Sequence, residues 1–308
     1  MFDSTEGVRQ SAGCERTIRG QYAIGLTSGH GHPTPKLPDL GKEQAVGERP
    51  DIDLTRPSAA RVYDYYLGGA HNFAVDREMA EQAITMWPEL PLIMQANRAF
   101  LRRAVQFCVS RGVTQFLDLG SGIPTVGNVH EVAREAGPAS RVAYVDNDPI
   151  AVTYSRTILG DDPRTTVVQE DLRHPDAVLA APEVAALLDF DRPVAVMMVA
   201  VLHFVPDEPV KIIAAYRDAV PPGSYLVISH ATHDGQDAQA DEHTDLYRRR
   251  TATPMTMRSK SEVEALYEGY ELVEPGVVHL PLWRPASPED VDEHPERFAG
   301  LAAVGRRL

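Results

Sequence analysis

From about position 57 the apolar residues fall at helical spacing. Ala59, Val62, Tyr63, Tyr66 and Leu67 stand at i, i+3, i+4, i+7 and i+8, one face of a helix with Ser58 as its N-cap. Gly68-Gly69 stops it. A second helix is predicted from Asp76 to Met86, ended by Trp87-Pro88. A third runs from Gln95 to Arg111, with Phe100, Leu101, Ala104, Val105 and Cys108 inward and Gly112 beyond it, so Cys108 reads as packing rather than as a nucleophile. After Val113 the period changes. Short apolar runs at 114–119, Arg141–Val145, Thr165–Gln169, Val194–Val199 and Tyr225–Ser229 alternate with helix-length segments, the first from Thr125 to Ala136. That alternation predicts a doubly wound α/β sheet. Ser259 to Glu262 is a capping-box pattern opening a helix that stops at Gly269. Tyr270–Val273, a Pro275-Gly276 turn and Val277–Leu280 then read as an antiparallel hairpin. Residues 1–50 hold eight glycines and four prolines with no sustained period, and are expected to be a disordered or loosely ordered tail. The chain thus divides into that tail, a helical cap or lid at 51–112, and an α/β domain at 113–308.

Composition narrows the function classes. The 308 residues are 43% hydrophobic, enough for a large core, and carry 44 acids against 30 Lys+Arg, a formal charge of −14. An acidic surface is a poor match for phosphate backbones or anionic lipid, so neither a nucleic-acid nor a membrane partner is expected. The two cysteines, Cys14 and Cys108, make no Cys-x-x-Cys pair. With no basic-then-apolar leader and no apolar run of about 18 residues, a cytoplasmic protein is expected.

Phe116-Leu117-Asp118-Leu119-Gly120-Ser121-Gly122 is the most informative stretch. An apolar strand ends in an acid, then turns through two glycines into a helix whose first N–H groups can face a ligand. The spacing Asp-x-Gly-x-Gly resembles motif I of class I S-adenosylmethionine (SAM) methyltransferases. The rival dinucleotide fingerprint would need a third glycine at 125, where Thr125 stands, and a plain NAD domain does not end in an antiparallel hairpin. The resemblance extends further. Arg61-Val62-Tyr63-Asp64-Tyr65, Leu67-Gly68-Gly69, Asn72-Phe73 and Asp76 look like the N-terminal signature of a bacterial S-adenosyl methyltransferase family formerly carried as a domain of unknown function. Asp118 to Thr125 with Asn128 and His130–Ala133, and Tyr144 to Pro149, resemble its glycine-loop and second-strand motifs. Tyr66 departs from the pattern, standing where an aliphatic residue is expected. The match spans about residues 50 to 308. It implies a class I, Rossmann-like fold and SAM as cofactor, without implying a methyl acceptor.

Such a cofactor asks for a diol acceptor, an acceptor for the adenine amine, an acid for its ammonium and donors for its carboxylate. Ligands in these sheets bind outside the carboxyl ends of the strands. Asp146, ending strand two, is the candidate for the ribose, with Asn147 beside it. Asp171 and Leu172, after strand three, are the candidates for adenine. Asp118 and the Gly120, Ser121 and Gly122 backbone are expected to hold the amino-acid portion, and Tyr63 and Asn72 to contact cofactor or substrate from the cap. Asp148 reads as a helix cap with Pro149 at the first helical position.

No [Asp/Asn]-Pro-Pro-[Tyr/Phe] grips a planar nitrogen after strand four; the chain reads Ala200-Val201-Leu202-His203-Phe204 instead. His203 is the first candidate general base or else lines the pocket, and His230, ending strand five, is the second. The expected activity is O- or N-methylation of a small molecule, with a SAM-binding protein lacking catalysis and an NAD oxidoreductase as the alternatives. Two further clusters are weighed: Asn128, His130 and Glu131 after the glycine loop, as ligand contact or as capping and packing, and His230, His233, Asp234, Asp237, Asp241 and His243 after strand five, as a metal site or as the charges of one helix. For the second, acids at one helix end and Arg248–Arg250 at the other suit the helix dipole, and no metal is expected. The His30 and His32 pair is read as part of a solvated tail.

Overall fold

The computed structural model describes residues 55–308 apart from 125–126, 236, 252–253, 288 and 290. The expected tail with its two histidines, and the expected helix start at Thr125, lie outside the described residues.

Three helices, α1 (Ala59–Tyr66), α2 (Ala74–Met86) and α3 (Leu90–Ser110), precede the first strand. The α/β part follows as β1 (Gln115–Leu119), α4 (Val129–Ala136), β2 (Arg141–Asp146), α5 (Pro149–Leu159), β3 (Thr165–Gln169), α6 (Pro175–Ala180), α7 (Pro182–Leu187), β4 (Ala195–Val199), α8 (Pro209–Ala219), β5 (Tyr225–Ala231), α9 (Asp237–Arg250), α10 (Lys260–Ala265), β6 (Tyr270–Leu272), β7 (Val278–His279) and β8 (Gly300–Arg307). The sheet order is β3-β2-β1-β4-β5-β8-β6, with β7 also on β8. The first five strands are parallel and β8 is antiparallel to its neighbours. Strand order reverses between β1 and β4, and Leu119 pairs with Val145 and Asp146 with Gln169. The carboxyl ends of these strands therefore share one edge, at the switch point where such sheets hold ligands.

Side-chain alternation explains the two layers. Phe116, Tyr144, Met197 and Val227 face one side, with α1, α2 and α3 packed there. Leu117, Val145, Val196 and Ile228 face the other, against residues of α7, α8 and α10. Both faces are covered, so the central strands are apolar throughout. α3 presents Ile93, Phe100, Leu101, Val105 and Cys108 to the first layer, each large side chain worth roughly 1.5–3 kcal/mol of burial. It is a layer of the sheet body, whereas α1 and the turn before it cross the strand ends. Burial pushes the Cys108 thiol up to about 12, as suits an inert core residue.

The end of the chain departs from the hairpin expected at 270–280. Those two segments do not pair with each other. Leu272 pairs with Gly305 and Val278 with Ala302, so both lie along one edge of β8, interrupted at the Pro275-Gly276 turn. The antiparallel closure is real, but its long strand is β8. Its Gly-Leu-Ala-Ala-Val-Gly sequence has little β-branched or aromatic character to mark a strand.

Gly120 adopts φ +70°, and a Cβ there would stand 2.2 Å from Val201 Cγ2. Gly160 has φ +58° with nothing within 4 Å of its virtual Cβ. Both alanine replacements carry the left-handed penalty, on the order of 1–3 kcal/mol. Urea denaturation is expected to show Gly120→Ala as clearly the more destabilising, because it also drives apart the ends of β1 and β4. Equal losses would show that this close approach is not what fixes the loop.

Candidate active site

A cavity of about 730 Å³ opens at the strand ends, lined by Asp118, Asp146, Asp171 and His203 and roofed by α1. It lies within the size range of small-ligand pockets, roughly 300–1,000 Å³. Tyr63, Asp118, Gly120, Ser121, Gly122, Asp146, Asn147, Asp171, Leu172, His203 and His230 all border it.

The sheet positions the acids. Asp146 is buried, its Oδ2 accepting the Gly122 N–H at 2.7 Å and its Oδ1 the Asp148 N–H at 2.9 Å. Burial raises its carboxyl to about 6 despite those bonds. Burial raises Asp118 to about 7, with Arg98 opposing the shift and Asp146 adding to it. Two buried carboxyls poised near neutrality, side by side on β1 and β2, form a strongly perturbed pair in a cleft. Asp171 behaves differently. Burial pushes it up, but hydrogen bonds from Arg173 at 2.9 and 3.0 Å outweigh that and leave it below the usual carboxylate range. Asn147 also hydrogen-bonds it.

The glycine loop spends its donors differently from expectation. Gly120 and Ser121 donate to the Val145 carbonyl at 2.8 and 3.1 Å, and Gly122 donates to Asp146. These N–H groups lock the loop onto the end of β2 instead of facing a ligand. At this end of the lining the Ser121 hydroxyl and Nε of Arg98 are left without partners. Arg98 also reaches Asn128 Oδ1 at 3.1 Å.

Asn72 is not in the cavity wall. Its amide donates to Asp64 Oδ2 at 2.8 Å and to the Gly69 carbonyl at 2.9 Å, bracing the turn after α1. His130 packs through Nδ1 on the Tyr144 hydroxyl at 2.7 Å, and Glu131 accepts the Asn128 N–H at 2.9 Å, so that cluster caps α4 and stays off the cavity.

Asp148 caps α5 as expected, accepting the Ile150 N–H at 2.8 Å. Ser58 is not a side-chain cap; its hydroxyl bonds Asp148 instead, across the cavity mouth. Arg61 lies 3.7 Å from the same carboxylate and pairs with buried Asp76 at 2.8 Å. Arg56 reaches the Thr251 carbonyl at 3.1 Å. The segment crossing the strand ends is thereby tied to both rims.

His203 sits in a 3₁₀ turn, residues 202–204, reached through Ala200 at φ +56°. Its ring is buried, and Nδ1 has no partner. Burial, then His230, His243 and Arg258, keep its imidazole well below the ordinary value and therefore neutral. His230 is not available as a base. Nδ1 bonds the Ala231 carbonyl at 2.7 Å and Nε2 accepts from Arg258 at 2.7 Å. The same guanidinium donates to the Leu202 and Val205 carbonyls at 2.9 Å each, so His230 and Arg258 clamp the turn that carries His203.

Several residues escaped the sequence reading. Asn97 donates to the Tyr63 hydroxyl at 2.8 Å and accepts from Ser229 Oγ at 2.5 Å, and Ser229 accepts the Ala200 N–H at 2.9 Å. This relay joins α1, α3, β5 and the end of β4. Its one visible signal was a polar residue, Asn97, on the apolar face of α3 between Ile93 and Phe100. Arg98 gave none, and His243 was marked only as a member of the cluster after strand five. The acid and histidine cluster around 230–243 disperses: Asp234 accepts the Lys260 N–H at 2.8 Å and His243 faces the cavity. Among the described residues no group of three or more His, Cys, Asp or Glu is placed to hold a metal, and no helix is long and apolar enough to cross a membrane.

Residues 45–308 match the model of the S-adenosyl methyltransferase family. A putative methyltransferase from Thermobifida fusca YX is similar at 42% identity and a TM-score of 0.78, over 84% of this chain and 97% of that one. A DUF574 family protein from Streptomyces avermitilis MA-4680 is similar at 39% identity and a TM-score of 0.80, over 83% of this chain and 100% of that one. No curated protein matches the chain. With a cavity whose acids suit SAM and a family match over most of its length, the chain belongs to the S-adenosyl methyltransferase family, a SAM-dependent methyltransferase.

Proposed function

We propose that the enzyme methylates an oxygen or nitrogen of a small-molecule acceptor, with the cofactor along the ends of β1, β2 and β3 and the acceptor toward His203. The observation that carries this reading is the convergence of Asp118, Asp146 and Asp171 with an unpartnered His203 on one cavity. Asp146 would accept the ribose hydroxyls with the lone pairs left beyond Gly122 and Asp148. Asp171 and Leu172 would bound the adenine, Asp171 through lone pairs beyond those taken by Arg173. Asp118 would face the ammonium. Arg98 Nε and Ser121 Oγ, both unsatisfied, suit the carboxylate better than the loop N–H groups already spent on β2.

When bound, SAM supplies an electrophilic methyl on a sulfonium whose charge disappears as the C–S bond breaks. Positioning and exclusion of water then do most of the work. The α1 segment, held by Ser58, Arg61 and Arg56 across the mouth, reads as the lid. A base is required only for a hydroxyl or a protonated amine. Neutral His203 could accept that proton as the new bond to the methyl carbon forms, its turn held rigid by Arg258.

Calorimetry is expected to show one S-adenosylhomocysteine bound per chain. Asp146→Ala should weaken it by on the order of 1.5–3 kcal/mol, the worth of hydrogen bonds to a charged group. Unchanged affinity in a folded Asp146→Ala variant would remove Asp146 from the cofactor site. With radiolabelled SAM and a cell extract as acceptor source, His203→Ala should lower turnover roughly 10²-fold, against a small change in S-adenosylhomocysteine affinity. Equal losses of both would make His203 a wall of the pocket rather than a base.

A further inference from the structure

Beyond His203 the cavity runs along a row of aromatic rings. The ring of His203 is tilted against Phe204 at 4.4 Å between centroids, Phe204 lies 5.7 Å from Tyr247, Tyr247 4.9 Å from His243, and His243 5.8 Å from Trp87. All five border the cavity, with Met255 beside them. Tyr66, the departure from the family pattern, closes this end, its buried hydroxyl next to Tyr247.

His243 is only 3% exposed, and neither ring nitrogen has a partner. A neutral imidazole must carry one N–H and one lone pair, so this site holds a donor without an acceptor and an acceptor without a donor. Buried groups of that kind are rare because each costs its lost hydration. Nδ1 of His203, at the head of the row and close enough for His243 to act on it, is a second.

Among the described residues no acid lies along this row. Burial alone holds the His243 imidazole down, to about 4, with no charged side chain acting on it. The lining acids are elsewhere: Asp64 is bound to His71 and Asn72, Asp148 caps α5, Asp118, Asp146, Glu170 and Asp171 stand at the strand ends, and Asp207 lies near Arg173. Among the described residues no carboxylate is placed to meet a cationic amine here.

Resting on the SAM reading above, we infer that the methyl acceptor is an uncharged aromatic molecule bearing a hydroxyl, bound along this row and positioned by His243. A hydroxyl oxygen accepts the N–H of a neutral imidazole and keeps its own proton to give elsewhere, which neither a hydrocarbon nor a cationic amine does. The flat ring would lie against aromatic edges and a pliable methionine. In the transfer the hydroxyl oxygen, held by the His243 N–H, bonds the methyl carbon, the C–S electron pair stays on sulfur, and the hydroxyl proton passes to Nδ1 of His203.

The test uses the protein saturated with S-adenosylhomocysteine, titrated at neutral pH with 2-naphthol, 2-methylnaphthalene and protonated 2-naphthylmethylamine. The expected result is at least about tenfold tighter binding of the naphthol than of either analogue, since a site with buried polar groups rejects a ligand that leaves them unpaired. His243→Phe keeps the ring contacts and should abolish that preference while raising the melting temperature of the ligand-free protein, because it removes unsatisfied buried nitrogens. His243→Asn, which restores one donor and one acceptor, should recover part of the preference. Failure to bind S-adenosylhomocysteine would overturn the cofactor reading itself. Binding of it without a preference for the naphthol, or an unaltered preference in His243→Phe, would overturn this inference alone.

Discussion

Two carboxyl groups removed from water at adjacent strand ends are the constraint on which the rest of the site depends. Asp118 and Asp146 sit where parallel strands leave the sheet, and burial lifts them to about 7 and about 6. Keeping a carboxylate there is unfavourable unless donors surround it. Asp146 recruits the Gly122 and Asp148 N–H groups, which sets the glycine loop against β2. Asp148 in turn caps α5 and takes Ser58 from the roof, while Arg61 runs from that carboxylate to Asp76. One line of polar contacts therefore leads from the sheet to the segment that closes the cavity.

The cavity has two chemical halves. Along β1 to β3 it is built of acids with few free donors, suited to a ligand rich in hydroxyl and ammonium groups. Past His203 it is aromatic, without an acid among the described residues, and unsatisfied imidazole nitrogens face it. The Arg258 and His230 clamp stands at the boundary and fixes the turn between the halves. A positively charged guanidinium beside two histidines also helps keep both neutral.

Much of this was legible because local sequence and tertiary fold agree. Apolar runs ending in an acid at 118, 146 and 171 mark both the strands and the ligand edge, and the Asp148-Pro149 and Ser259–Glu262 caps form as their residue types require. The failures come from partners distant in sequence. His230 looks like a free strand-end histidine until Arg258 arrives 28 residues later. Asn72 looks like a site residue, yet Asp64 within its own turn claims it. The loop N–H groups look free, but Val145 and Asp146 absorb them. β8 is assembled from small residues, so only its place between β5 and β6 reveals it.

The central claim is that Asp118 and Asp146 hold the cofactor as ionised groups. Carboxyls raised above their usual value make the free protein lose stability as pH climbs from about 4 to about 7, because ionisation is opposed by burial. A ligand that brings ammonium and hydroxyl groups to them favours the ionised forms and so lowers both values. The decisive measurement is S-adenosylhomocysteine binding by calorimetry across that range, in buffers of different ionisation enthalpy. Affinity should rise with pH from about 5 to about 7 and then level, with protons released on binding near pH 6. Affinity that is flat or falls over that interval, or proton uptake, would contradict the account.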